Sequence, residues 1–261
     1  MPKIDKALLI LDAVTTGGSE GCIRVDRRVL LLVTIVYLGV MLSVPTTHVD
    51  LLLWFAVYPI VASPMLGLSY SSVFLQSLIV LPLVILLGIF NPIVDKVPVA
   101  AINGFSITEG WLLFAGIIIR GLLSMQALVI LIRSIGFVGI VRSMSGLGIP
   151  GFLTTQLMMV FRYIRVLIEE GVTMKAARDS RSFGNGHLSV RMWGILIGQL
   201  FLRSVHRAER VHKAMLARGF SGEVPFTSGE VAWNWNSTVY LLVWSTVFVF
   251  LRLYNISLLF V

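Results

Sequence analysis

The sequence has one cysteine, Cys22, in 261 residues, so no disulfide can close within the chain and no thiolate cluster can hold a metal. Charge is scarce as well, at 13% of residues against 57% hydrophobic. That leaves too little polar surface to cover a soluble domain of this length, and it points to an integral membrane protein. No GxxxxGK run followed by Ser or Thr occurs, which excludes nucleotide hydrolysis by the P-loop route. HExxH, GxSxG and paired-cysteine motifs are missing too. The four histidines, His48, His187, His206 and His212, are scattered; the last two are six apart on one helix and face different ways, which makes them poor joint metal ligands. Glu169 and Glu170 are adjacent and diverge on a helix, so they are expected to pair with Arg162, Arg165 or lysines rather than to act as a catalytic couple. A secretory signal is not expected, because the first apolar run, Ala7 to Leu11, is short and is followed by Asp12, Glu20 and Arg24.

The charge that is present is concentrated. Residues 133–218 hold 13 of the 21 Lys/Arg and four of the 13 Asp/Glu, which gives that block +9 and leaves the rest at −1. A basic segment flanking apolar spans is what the positive-inside rule places in the cytoplasm, facing anionic headgroups, and nucleic acid is not needed to explain it.

The apolar runs predict an all-α integral membrane protein of about five transmembrane helices. Residues 1–24 read as an N-terminal interfacial segment and residues 25–132 as four spans. Arg24 to Arg28 leads into the first, Val29 to Val44; the second, Leu51 to Ala62, is short and broken near Pro59 and Pro64; the third, Val73 to Phe90, is kinked at Pro82; the fourth is Trp111 to Ile132. The stretch from Asn91 to Thr108 reads as an outer loop. Arg120 lies near mid-height of the fourth span. There an arginine costs about 2.5 to 3.5 kcal/mol, so it needs a partner within the protein or across an interface. After a break at Ser143 to Pro150, residues 133–222 form a cytoplasmic amphipathic region, and residues 223–261 supply the last span around Val239 to Leu251, with Trp233 and Trp235 at headgroup level.

Within the basic region, an Ala-Arg-x triplet occurs twice, at Ala177-Arg178-Asp179 and at Ala217-Arg218-Gly219, forty positions apart. Between them the residues segregate at helical spacing: Phe201, Val205, Ala208, Val211 and Met215 on one face, Arg203, Arg207 and Arg210 opposite. Gly219 and Pro225 end this helix just after Arg218. Asp179, Ser180, Ser182, Gly184, Asn185 and Gly186 are expected to end an earlier one, begun near Tyr163, just after Arg178. Two helices would then each carry an arginine at the tip, offering five fixed donors to a carboxylate of another protein.

These residues resemble the transmembrane (T) component of energy-coupling factor transporters, in particular the cobalt and nickel type called CbiQ. The likeness runs from VDRRVLLL (Val25 to Leu32) through SGLGIPGFLTTQLMMVFRYIRVLIEEG (Ser145 to Gly171) to AARDSRS and AMLARGFSG, and covers most of the chain. Ala217-Arg218-Gly219 fits the family pattern well. At the first triplet Asp179 takes the third place, and Ser182 follows Arg181 where many relatives have glycine, so Arg178 and Arg181 stand as alternative docking groups.

The resemblance implies that Ala177, Arg178, Asp179, Arg181, Ala217, Arg218 and Gly219 dock two ABC ATPase subunits, which use ATP and Mg while this chain binds no cofactor of its own. It further implies a separate substrate-binding membrane subunit of the CbiM type with a small CbiN-like companion, cobalt or nickel as substrate, and a place in the inner membrane of a bacterium or archaeon with the N-terminus cytoplasmic. A self-contained carrier would more often show inverted repeats and polar mid-span sites, where here Arg120 and Gln76 are nearly alone, and a membrane-bound enzyme of lipid metabolism would need Asp/His clusters, which are absent.

Overall fold

The computed structural model describes residues 25–46, 49–94, 98–102, 105–181, 189–222 and 235–253. The expected interfacial segment 1–24, the turn formers Ser182 and Gly184 to Gly186, His48, His187, Trp233 and the chain beyond Leu253 lie outside the described residues. In order the elements are α1 (Arg27–Ser43), α2 (Val49–Trp54), α3 (Val57–Met65), α4 (Tyr70–Ser77), a 3-10 turn (Leu78–Val80), α5 (Leu81–Gly88), α6 (Asn91–Val94), β1 (Pro98–Ile102), β2 (Phe105–Thr108), α7 (Glu109–Gly146), α8 (Gly151–Arg181), α9 (Val190–Ala217) and α10 (Trp235–Leu253). The chain divides into two compact units, one holding α1 to α7 as far as Ser143 together with α10, the other holding α8 and α9.

Four helices are long and apolar enough to cross a membrane: Tyr70–Gly88, Glu109–Gly146, Gly151–Arg181 and Trp235–Leu253. The expected third, fourth and last spans are among them. The expected first span is a 17-residue helix, about 25 Å at 1.5 Å per residue. The second is the shorter apolar stretch Val49–Met65, interrupted between Trp54 and Val57. The kink expected at Pro82 is present as the 3-10 turn that leads into α5, with the proline in the first turn of the new helix.

In the larger unit, α1 is buried along Val29, Val33, Tyr37 and Met41, spaced four apart so that they form one stripe. It meets Tyr240, Trp244, Phe248 and Leu251 of α10, spaced three and four apart. Tyr37 and Phe248 have ring centroids 5.2 Å apart, Tyr37 and Tyr58 4.6 Å, and Tyr58 stands edge-on to Trp244 at 4.9 Å. Lipid tails are as apolar as these rings, so in a bilayer the gain comes from close packing and interior hydrogen bonds rather than from escape from water. In the break after α2 the Phe55 carbonyl accepts from the Tyr58 amide at 3.3 Å, and the Tyr37 hydroxyl donates to it as well, at 3.2 Å.

Both ends of the α1–α10 pair are tied. The Asp26 side chain caps α1 by accepting from the Arg28 amide at 3.1 Å, and the Asp26 amide donates to Ser237 Oγ at 2.9 Å, at the start of α10. At the other end Arg252, in the last turn of α10, donates to the Ser43 carbonyl at 3.5 Å. The two helices therefore run parallel.

Arg120 finds its partner inside the protein: its guanidinium donates to the Val44 carbonyl, just past the end of α1. It thus stands level with a helix terminus, whose exposed carbonyls favour a cation, and not opposite the middle of α1. Gly88 beside Phe114, and Gly121 beside Val84, bring α5 and α7 close. Arg133 reaches from α7 to Ser72 Oγ at 2.8 Å. Helix α7 outruns the expected span by continuing through Arg133 and Arg142, but it is bent at Gly136, whose φ of 66° and ψ of 170° suit glycine alone. The stretch read as an outer loop holds α6 and an antiparallel hairpin in which Ala101 faces Ser106 and Ile102 faces Phe105.

Candidate functional site

The second unit consists of α8 and α9. Helix α8 is continuous from Gly151 to Arg181, and this corrects two expectations: no separate helix begins near Tyr163, and Asp179 and Ser180 do not end it. Arginines 162 and 165 interrupt the apolar run without breaking the helix, because arginine is itself a good helix former. Helix α9 starts at Val190, with Ser189 Oγ accepting from the Met192 amide at 3.3 Å. It ends in a Schellman turn: the Phe220 amide donates to the Met215 carbonyl and the Gly219 amide to the Leu216 carbonyl, both at 3.0 Å, with Gly219 at a φ of 81°. Ala217 is the last helical residue, and Arg218 is the exposed cap.

The helices run antiparallel and meet near their middles, where Gly171 lies against Leu200. At this crossing the Glu170 carboxylate accepts from Arg207 Nη2 at 2.9 Å and lies 3.6 Å from Arg203 Nη1. Sequence reasoning missed this arrangement. It placed Arg203 and Arg207 on a face turned away from the apolar one and sought Glu170's partners on its own helix. In the structure, Ala208, Val211 and Met215 of the expected apolar face do line a cleft with Met159, Tyr163 and Leu167, whereas Phe201 and Val205 are exposed.

Two clefts flank the crossing. One, of about 380 Å³, is lined by Met174, Ala177, Arg178 and Arg181 of α8 and by Met192 and Leu196 of α9, among others. The other, of about 450 Å³, holds the C-terminal half of α9 against the N-terminal half of α8. Arg178 is turned into the first: its side chain is 18% exposed and pairs with Asp179 at 3.0 Å. The expected tip position belongs instead to Arg181, the last residue of α8, which is exposed and makes no ion pair among the described residues.

The sequence carried a signal for this that the Ala-Arg-x triplets obscured. Ala177-x-x-Ser180-Arg181-Ser182-Phe183 repeats as Ala214-x-x-Ala217-Arg218-Gly219-Phe220, an alanine four before the arginine, then a small residue and a phenylalanine after it. In that register the repeat is 37 residues, and Arg181 corresponds to Arg218. His206 and Glu209 of α9 lie 3.8 Å apart on the surface, and among the described residues no group of three or more His, Cys, Asp or Glu could hold a metal.

Fold and crossed pair together define a multi-pass helical membrane protein whose charge is gathered on two long helices. Residues 22–227 match the model of the CbiQ family, described as cobalt transport protein, and the chain belongs to that family. The family is one of membrane cobalt transport, and it makes the chain a transporter component rather than a member of an enzyme family. A stretch of 80 residues is also 34% identical to an uncharacterized protein of Methanocaldococcus jannaschii, a match that spans 30% of this chain and 30% of that protein.

Proposed function

We propose that the chain is the energy-coupling subunit of an ATP-driven importer of cobalt or nickel, seated in the inner membrane of a bacterium or archaeon with its N-terminus and the basic helical pair in the cytoplasm. Two ABC ATPase subunits bind and hydrolyse MgATP, each gripping one helix tip, and their closure moves α8 and α9. The membrane part passes that motion to a separate substrate-binding membrane subunit of the CbiM type, with its small CbiN-like companion. The chain itself performs no covalent chemistry.

The observation that carries this reading is the matched pair of helix ends. Arg181 and Arg218 each close a long helix, each is exposed, and each is followed by a small residue and a phenylalanine. A guanidinium in that position has its donors free for a carboxylate-lined groove. Arg178, buried against the cleft and paired with Asp179, is less suited to that role. Ala177 and Ala217 keep the helix surface beside each tip slim, and Gly219 allows the chain to turn away at once.

The test is ATPase retention on the purified complex together with cobalt uptake. Truncating an arginine at a desolvated interface costs roughly 2 to 5 kcal/mol, against about 0 to 1 kcal/mol at an open surface. Arg218→Ala and Arg181→Ala should each weaken retention by at least tenfold, and the double variant should abolish uptake while the protein still inserts into the membrane. Full retention by the double variant would overturn the reading.

A further inference from the structure

We infer that Glu170, held by Arg207 and Arg203, is the pivot that sets the spacing of the two helix tips and with it the distance at which two partner subunits are held; the functional part of this statement rests on the docking reading above. Two ion pairs from α9, those of Arg203 and Arg207, converge on Glu170 of α8. Its carboxylate is mostly covered, and Arg207 comes from one turn beyond Arg203, so one acid is gripped by two successive turns of the facing helix.

Away from this point the helices part, leaving the two clefts described above. The pair is therefore a crossing with four arms. The two arms that end in Arg181 and Arg218 point in opposite directions, because the helices are antiparallel. From Glu170 to Arg181 is about 16 Å, and from the facing turn of α9 to Arg218 about 20 Å, at 1.5 Å per residue. A small rotation at the crossing is multiplied along arms of that length. Apolar packing resists such a rotation only in part, since Met192, Leu196, Leu200, Val211 and Met215 of α9 are half-buried and none is fully covered. A directional, bidentate-capable grip between a carboxylate and guanidinium groups resists it better, because guanidinium geometry is planar and fixed. The Nε of Arg207 is buried without a hydrogen-bond partner, so the hold on this side chain comes from its Nη2 contact with the Glu170 carboxylate.

Glu170 is thus a positioning residue, and its test must read geometry as well as transport. Spin labels on cysteines placed at Lys175 and Lys213, one on each tip-bearing arm, in a Cys22→Ala background of the full chain in lipid nanodiscs, report the tip-to-tip distance without any ATPase present. The parent should give one narrow distribution. Glu170→Gln should broaden it, and in the assembled complex should lower uptake at least tenfold while each ATPase subunit can still be captured singly. Glu170→Arg should do the same, and Glu170→Arg combined with Arg207→Glu should restore both the narrow distribution and most of the uptake. A distribution in Glu170→Gln as narrow as the parent's, or a charge swap that restores neither property, overturns the pivot. Intact ATPase retention in the Arg181/Arg218 double variant overturns the docking reading instead, so the two failures are told apart.

Discussion

The two units are held together in opposite ways. Seven of the 17 residues of α1 are buried, and its Tyr37 interlocks with rings of α3 and α10 at centroid distances near 5 Å. In the crossed pair no residue of α9 is fully buried, its inner stripe being half-buried, and α8 fully buries only Thr154 and Thr155. Trp193, Ile197, Phe201 and Leu202 are left exposed along α9. The first unit is a packed scaffold whose geometry its own side chains fix. The second carries most of the excess positive charge of the chain and is fixed at one polar crossing, an arrangement suited to being moved by something else.

The contrast can be broken from either side. The largest stability effect is expected from Phe248→Ala, which removes a ring packed 5.2 Å from Tyr37 and 5.4 Å from Tyr58. Emptying such a site costs about 3 to 5 kcal/mol. Thermal unfolding in detergent should show a large fall in midpoint, and a variant as stable as the parent would mean that the aromatic cluster is not what holds the scaffold. Ser237→Ala should be milder. It strips the Asp26 amide of its acceptor at the joint between the starts of α1 and α10, leaving a buried donor unpaired at about 1 to 3 kcal/mol. The same melt should resolve it, and restoration by Ser237→Thr would separate the hydrogen bond from packing.

The smallest effect belongs to the crossed pair. Arg178→Ala removes a half-buried guanidinium whose ion partner is its own neighbour Asp179, so stability should move by about 0 to 1 kcal/mol. ATPase capture should stay within a factor of a few of the parent. If Arg178→Ala abolishes capture while Arg181→Ala does not, the two arginines have been assigned the wrong way round.

What the sequence makes legible follows from which interactions are local. The apolar run after Arg28, the Gly219 stop and the kink at Pro82 each depend on a few neighbouring residues, and each appears where the pattern puts it. The interruption of the second span near its prolines is legible for the same reason. Three features were obscured. Apolar residues continue straight through Gly136, so nothing in the hydropathy marks the bend. The hairpin carried a signal that went unread: Asn103-Gly104 between Pro98–Ile102 and Phe105–Thr108 is the dipeptide that favours two-residue turns. The partners of Arg120 and Glu170 come from 76 and 37 residues away, and no local rule reaches that far. At the candidate site, the tip at Arg218 was readable because a glycine follows it. The tip at Arg181 stood only as an alternative to Arg178, because the serine after it sends a weaker stop signal than a glycine does.

The tie between Asp26 and Ser237 joins positions 211 residues apart. During synthesis at about 5 to 20 residues per second, the first membrane helix is inserted roughly 10 to 40 s before the helix it pairs with has left the ribosome. For that interval Tyr37 and its neighbours have no α10 to pack on. The scaffold cannot close early, and a chain that stalls before Trp244 and Phe248 never closes it. Closure of the aromatic cluster is thus timed by synthesis as far as Phe248, and until then the first helix lacks the helix it packs on.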